Sequence, residues 1–365
     1  MPKPEDRKLT PKENYMRVMR GEMPEWVPIF TWGAPLPDGD MPPAGLVKPL
    51  VIDEPPMPFT HAEDEVVYDL WGQGWLQGTD ASNGAMISDP YHLVLEDIDD
   101  WHDVVHAPDI SDVDWEMMCK QTMAAFPYDR SQTATCLNLF NGAFLEMVAL
   151  MGFTEALIAL YEEPEESAAL LKYINDFYIE VGKRCIPYLQ PDVIMLGADD
   201  CNAKAPFMDE GLFRQCLLPT YRDLYEQLAE PYGTPIMMHE CGAALDYIEI
   251  MHEEAGVVAW ESAMPEPMND LRPFKEKWGR EIAIMGGYDV TRPDLTDPDC
   301  PDELITETTQ EAVRTFAPEG GYIFDGMFVG NKQDPRCARK NIVMQTAAQE
   351  ICNTFYDEKL VGVKA

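Results

Sequence analysis

Positive charge is scarce in this 365-residue sequence. Lys and Arg number 27 against 65 Asp and Glu, a formal net charge of −38. Nucleic acids and anionic membrane surfaces are recognised through basic patches, and that composition supplies none. The shortage is most severe across residues 21–119, where Lys48 alone faces 21 acidic residues. A pocket for a polyphosphate or polycarboxylate ligand is therefore not expected from that stretch. Long apolar runs are missing as well. No run of 18 uninterrupted apolar residues offers a membrane span, and the opening MPKPEDRKLTPKEN lacks the apolar core of a secretory signal. The cysteines number nine, an odd count without framework spacing. That pattern favours reduced thiols in a cytoplasmic protein over disulfides. Walker A, GxSxG and CxxC motifs are all absent, and neither Ser131 nor Ser262 shows a legible His and Asp partnership.

What is present is core-forming material. Apolar residues make up 46% of the chain and aromatics 10%, enough for a sizeable core. The 22 methionines read as core filler or as an adaptable apolar pocket. Residues 31–130 are rich in Pro, Asp and Gly, and PLPDGDMPPAG and DEPPMP exclude helix because Pro removes a donor and fixes φ. Residues 95–116 are acidic, hold Trp101 and Trp115, and read as a solvated cap with short helical turns. From Ala134 onward, apolar β-rich runs alternate with amphipathic helical stretches. The runs lie at 133–140, 192–200, 234–242, 257–262, 282–289 and 321–328, and helical patterns fill 142–163, 164–189, 210–232, 243–255, 268–279, 302–316 and 335–356. Such alternation predicts a parallel sheet. VPIF at 27–30 makes a seventh strand, and an eighth is expected near residues 79–83 or in DLWGQGW. No Gly-rich phosphate turn follows the first strand, so the α/β fold expected is a (β/α)8 TIM barrel and not a doubly wound sheet. It spans residues 1–365 as a single domain, with 31–130 as a loop-rich, acidic cap.

The chemistry sits where the apolar runs stop. DVIMLGA ends in Asp199 and Asp200; TPIMM ends in His239, Glu240 and Cys241; VVAW ends in Glu261; IAIMGG leads to Tyr288 and Asp289; GYIF ends in Asp325. A single acid after a strand reads as a helix cap. Five such ends, with His and Cys among them, read as a site on the face where barrel strands converge. Strand alternation puts His239 and Cys241 on one face. Imidazole and thiolate suit zinc, and a catalytic zinc needs three protein ligands plus an open position. Cys201, Asp325 and Cys337 are candidates for the third. Asp199 and Asp200 are adjacent, so one points to substrate or acts as acid or base while the other caps a helix.

Several stretches in combination carry a family likeness. The opening LTPKENYMRVMRGEMPEWVPIF, the segment NGAFLEMVALMGFTEALIALYEEPE, the passage from DVIMLGADD through LLPTYRDLYEQL to HECG, and GREIAIMGGYDV resemble the uroporphyrinogen decarboxylase superfamily. Within it the chain resembles the corrinoid-linked methyltransferases. The resemblance covers nearly the whole chain and implies the barrel. Decarboxylases of this family grip a ligand of eight carboxylates partly with Arg in the N-terminal part. Here that part has only Lys48, so decarboxylation of a porphyrinogen is not expected. The thiol methyltransferases of the superfamily carry His-X-Cys with a further Cys after the last strand, and zinc activates the acceptor thiol. His239 and Cys241 match, but residues near Met327 and Phe328 include no Cys.

The branch that remains implies O-demethylation in anaerobic metabolism. A methyl group moves from a small methoxylated, aromatic substrate to the Co(I) of a corrinoid (cobalamin) on a partner protein. A metal or proton donor must then assist the departing oxygen. The expected catalytic residues are Asp200, His239, Glu261 and Asp325. The expected substrate-binding residues are Asp199, Trp260, Tyr288 and Asp289, with zinc on His239 and Cys241. The alternatives are a methylcorrinoid:thiol methyltransferase with an altered zinc site and a barrel without catalysis.

Overall fold

The computed structural model describes residues 7–357, apart from 33, 35, 38–40, 53–65, 78–85, 140–141 and 327–333. The chain enters through a helix at Pro11–Met19, where Thr10 and Glu13 form a reciprocal capping box and Pro11 takes the first turn. Its leading N–H groups are thus satisfied locally. The strands, in chain order, are β1 (Ile29–Phe30), β2 (Ala44–Val47), β3 (Val67–Tyr68), β4 (Gly74–Gln77), β5 (Met86–Ser88), β6 (Ala134–Asn138), β7 (Val193–Gly197), β8 (Ile236–His239), β9 (Val257–Ala263), β10 (Ala283–Gly286) and β11 (Tyr322–Asp325). Eight of them form one sheet in the order β1-β11-β10-β9-β8-β7-β6-β2, and every pairing in it is parallel. Helices lie between successive strands from β6 onward. This is a nearly closed (β/α)8 barrel.

The eighth strand is not where the sequence pattern placed it. DLWGQGW contributes to the antiparallel sheet β3-β4-β5, and residues 79–83 lie outside the described residues. The barrel strand is instead β2, the four-residue AGLV, which pairs with β6. It is too short to stand out against its Pro-rich flanks. The expected boundary of the cap therefore cuts through the barrel.

Alternation along the strands sorts the core into two layers. Ala44, Ala134, Cys136, Val193, Met195, Met237, Ala259, Ala283, Met285 and Ile323 share one cluster with Tyr15 and Phe30, which fills the barrel interior. Residues of the opposite parity, such as Ile194, Met238, Trp260, Ile284 and Phe324, join the larger cluster beneath the outer helices. The first helix stoppers the barrel from the end where strands begin. Tyr15 is fully buried with its hydroxyl 3.6 Å from Met237 Sδ, and Lys12 Nζ lies 2.7 Å from Asp192, which precedes β7.

Two local departures have physical causes. The helical pattern at 142–163 breaks into Ala143–Met151 and Phe153–Glu162. Gly152 sits at φ 85°, ψ 150°, a region open essentially to glycine alone. The tryptophans expected in a solvated cap are tucked in. Trp101 is buried with its ring 5.4 Å from Tyr173 of the helix Pro164–Leu189, and Trp115 is half-buried against the core. Among the described residues, no single helix is long and apolar enough to cross a membrane.

Candidate active site

The interior parity, carried to the strand ends, selects the site residues. Two residues beyond Met237, Ala259 and Ile323 come His239, Glu261 and Asp325. All three therefore stand on the top layer of the barrel interior. Glu261 and Asp325 are buried, and Glu261 accepts a hydrogen bond from His239 Nδ1. Burial pushes the Glu261 carboxyl up to about 8, tempered by its hydrogen bond with Asp325. Asp325 is driven well above its ordinary range by burial and then by the Glu261 charge beside it.

His239 holds its other nitrogen toward Asp199, with Nε2 3.6 Å from Oδ1. The Cys241 thiol donates to the same Asp199 oxygen at 3.1 Å. One ligand atom each from Asp199, His239 and Cys241 all lie within 4.8 Å of one another. Burial depresses the imidazole, but Cys241, Asp199 and Glu240 outweigh it and raise its pKa. His239 pulls the Cys241 thiol down, while burial and Asp199 together push it above its usual value. A carboxylate, an imidazole and a thiol converging at an open mouth fit a catalytic zinc with three protein ligands. The Glu261 hydrogen bond on Nδ1 leaves Nε2 for the metal, the arrangement that orients metal-binding histidines elsewhere.

The third member of the cluster is thus Asp199, expected from sequence as a substrate-binding residue. None of the expected third ligands joins the cluster. Cys201 lines the cavity but is buried, its thiol pushed far up by burial, Glu240 and Asp200. Asp325 hydrogen-bonds Glu261 and lines the cavity outside the cluster, and Cys337 is in the first turn of the helix Pro335–Cys352. Residues 327 and 328 lie outside the described residues.

A cavity of about 460 Å³ opens beside the cluster. Trp32, Ala263, Met264, Met268, Tyr288 and Val290 wall it, with His239, Cys241 and Asp325 at its polar end, and no Lys or Arg is among its lining residues. Two of the expected substrate-binding residues lie elsewhere. Trp260 has outward parity: it is fully buried, packs on Phe274 and donates from Nε1 to Glu240 O at 2.8 Å. Asp289 lines a neighbouring groove and closes a turn, accepting from Thr291 N at 2.8 Å. Asp200, expected to be catalytic, also turns away. It is buried, accepts from Tyr221 Oη at 2.6 Å, and its N–H donates to Glu240 at 2.7 Å. Burial drives both carboxyls above their ordinary range. The adjacent aspartates diverge as alternation requires: Asp199 faces the cavity mouth and Asp200 the wall behind it.

Trp32 is the residue sequence reasoning passed over. It stands edge-on to His239, ring centroids 5.5 Å apart at 77°, two residues past Phe30 of β1. Its φ of 53° is left-handed, which costs a bulky residue about 1–2 kcal/mol. An aromatic two residues past the first strand, in VPIFTW, is the signal that could have found it.

Comparison with known proteins agrees with this architecture. The profile described as "Uroporphyrinogen decarboxylase (URO-D)" matches residues 116–326, more than half the chain. Among solved structures, a methyltransferase from Methanosarcina mazei superposes with a TM-score of 0.63 at 13% identity, covering 94% of this chain and 99% of that one. A B12-independent methionine synthase from Shewanella sp. W3-18-1, in complex with selenomethionine, superposes with a TM-score of 0.41 at 11% identity, covering 80% and 77%. No curated protein matches the sequence. With the barrel and the matched segment in agreement, the chain belongs to the uroporphyrinogen decarboxylase family.

Proposed function

We propose that this protein is a methyltransferase that demethylates a methoxylated aromatic and passes the methyl group to the reduced cobalt of a corrinoid carried by a partner protein. The observation that carries the reading is the Asp199–His239–Cys241 cluster at the mouth of a cavity walled by Trp, Tyr and Met and free of Lys and Arg. An apolar ring suits those walls, whereas a polycarboxylate finds no counter-charge. The balance is simple. The methyl–oxygen bond breaks with its electron pair left on the phenolic oxygen, and cobalt supplies the pair that forms the new bond to carbon.

Phenolate is a poor leaving group, so the developing charge has to be met. Asp199, His239 and Cys241 are the residues that would hold zinc, which supplies Lewis acidity toward that oxygen when bound. Glu261 fixes the His239 ring, and Trp32 closes over its edge. The test is methyl transfer from a methoxyphenol to a Co(I) corrinoid protein, followed by the cobalt spectrum. Conversion to the methyl-cobalt form is expected, and its absence with every methoxyphenol and a competent partner sinks the reading. The N, O and S donor set also suits thiol activation, which is the second reading. Loss of methylcobalamin that depends on added thiol, with no demethylation of ethers, selects it.

A further inference from the structure

Four described residues other than glycine have a positive φ: Trp32, Gln190, Ser262 and Glu319. Two have routine explanations. Gln190 is the left-handed C-cap of the helix Pro164–Leu189, and Glu319 sits in the turn before β11. The other two, Trp32 and Ser262, both line the cavity. Backbone strain at a ligand site is held in place because the surroundings over-determine it.

Ser262 owes its conformation to a bulge. The β9–β10 register runs Met285 with Glu261 and then Gly286 with Ala263, leaving Ser262 as the extra residue at φ 64°. A bulge re-aims side chains beside active sites. Glycine would take this backbone without strain, whereas serine also brings a hydroxyl. Two of the other polar side chains around the cavity are committed within the protein. Thr291 Oγ1 donates to Asp289 at 2.7 Å, and Asn202 Oδ1 accepts from Lys204 N at 2.8 Å. Ser262 makes no side-chain hydrogen bond to the described residues. Its hydroxyl is available to a ligand, one residue from the Glu261 that steadies His239.

We propose that Ser262 and Trp32 select the substrate: the ring of the methyl donor packs on the Trp32 indole, and a second hydrogen-bonding substituent on that ring binds the Ser262 hydroxyl. The class of donor preferred is then an aryl methyl ether carrying a further polar group, over the bare ether. This rests on the demethylation reading and adds residues that the reading does not require.

The test is direct binding, measured by calorimetry on metal-loaded protein without the corrinoid partner. The probes are methoxybenzene and the three methoxyphenol isomers. Wild type is expected to bind at least one isomer roughly threefold to tenfold more tightly than methoxybenzene, the range a neutral hydrogen bond supplies. Ser262→Ala is expected to erase that preference while leaving methoxybenzene affinity unchanged. Ser262→Gly is expected to do the same without lowering the unfolding temperature, since it relieves the left-handed backbone. Trp32→Leu is expected to weaken all four ligands by a common factor of about ten. A preference that survives both serine variants, or is missing from wild type, overturns the inference alone. Failure of every probe to bind wild type overturns the demethylation reading with it.

Discussion

At the residue scale, the site is a chain of contacts: Asp199 and Cys241 meet His239, His239 meets Glu261, and Glu261 meets Asp325. Each link has its own expected phenotype. Asp199→Ala is expected to lower bound zinc from one equivalent toward none in a metal analysis, as are His239→Ala and Cys241→Ala, while circular dichroism stays native. Retention of a full equivalent by the Asp199 variant would show that the third donor lies elsewhere. Glu261 acts through His239, so Glu261→Gln is expected to weaken zinc binding by roughly 10–100-fold without removing a ligand. A competition titration against a chelator measures it. The alternation that puts His239, Glu261 and Asp325 on one face also disposes of Trp260 and Asp200, because neighbours in a strand point to opposite sides.

At the element scale, a break, a buried acid and a plug make separable contributions. Gly152 divides two helices at a backbone setting that an L side chain adopts only under strain. Gly152→Ala is expected to cost about 1–3 kcal/mol in denaturant unfolding. Leu93 lies at ordinary contact distance from the added methyl, so strain and not collision sets that figure. Glu146, on the helix Ala143–Met151, is pushed up to about 8 by burial and then by Asp69, with Tyr178 and Lys48 pulling the other way. Its folded pKa is raised above the ordinary 4.5, so the unfolded chain gives up this proton first as pH rises. The stability it contributes is whole below about 4.5 and is lost as pH climbs to about 8. Glu146→Gln is expected to flatten that part of the stability profile. In thermal melts the variant should gain on wild type from pH 5 to pH 9; parallel profiles would contradict the assignment. Tyr15 fills the barrel from below, and Tyr15→Ala is expected to cost about 3–5 kcal/mol, as large aromatic deletions do.

For the whole molecule, scaffold and chemistry are nearly independent. The barrel interior is a layer of Ala, Val, Met, Cys and Ile closed by Tyr15, and the Asp199–His239–Cys241 cluster stands above it at the mouth. Removing metal with a chelator is therefore expected to abolish transfer while the far-ultraviolet spectrum is unchanged, with full recovery on adding zinc. Collapse of the secondary structure on chelation would instead assign the metal a structural role. The charge imbalance acts at the same scale. The cavity takes no Lys or Arg into its lining, so the deficit of cations across residues 21–119 is matched at the site itself.

By itself, the sequence determined the barrel from Ala134 onward and the importance of the strand ends. Periods of two and of 3.6 are local, and they survive in the chain order whatever the packing. The helices at 164–189 and 302–316 fall where their patterns lie, and His239, Cys241, Glu261 and Asp325 were legible as strand-end residues. What needed tertiary structure was whatever depends on neighbours distant in sequence. A four-residue strand such as β2 is defined by its pairing with β6, and its composition alone does not reveal it. Asp199 joins His239 and Cys241 because parallel pairing of β7 with β8 sets Gly197 beside His239, which brings the residue two beyond it over the imidazole. The left-handed turn at Ser262 was likewise decided by the pairing of β9 with β10. A bulge is a mismatch between two strands, and no single strand encodes it.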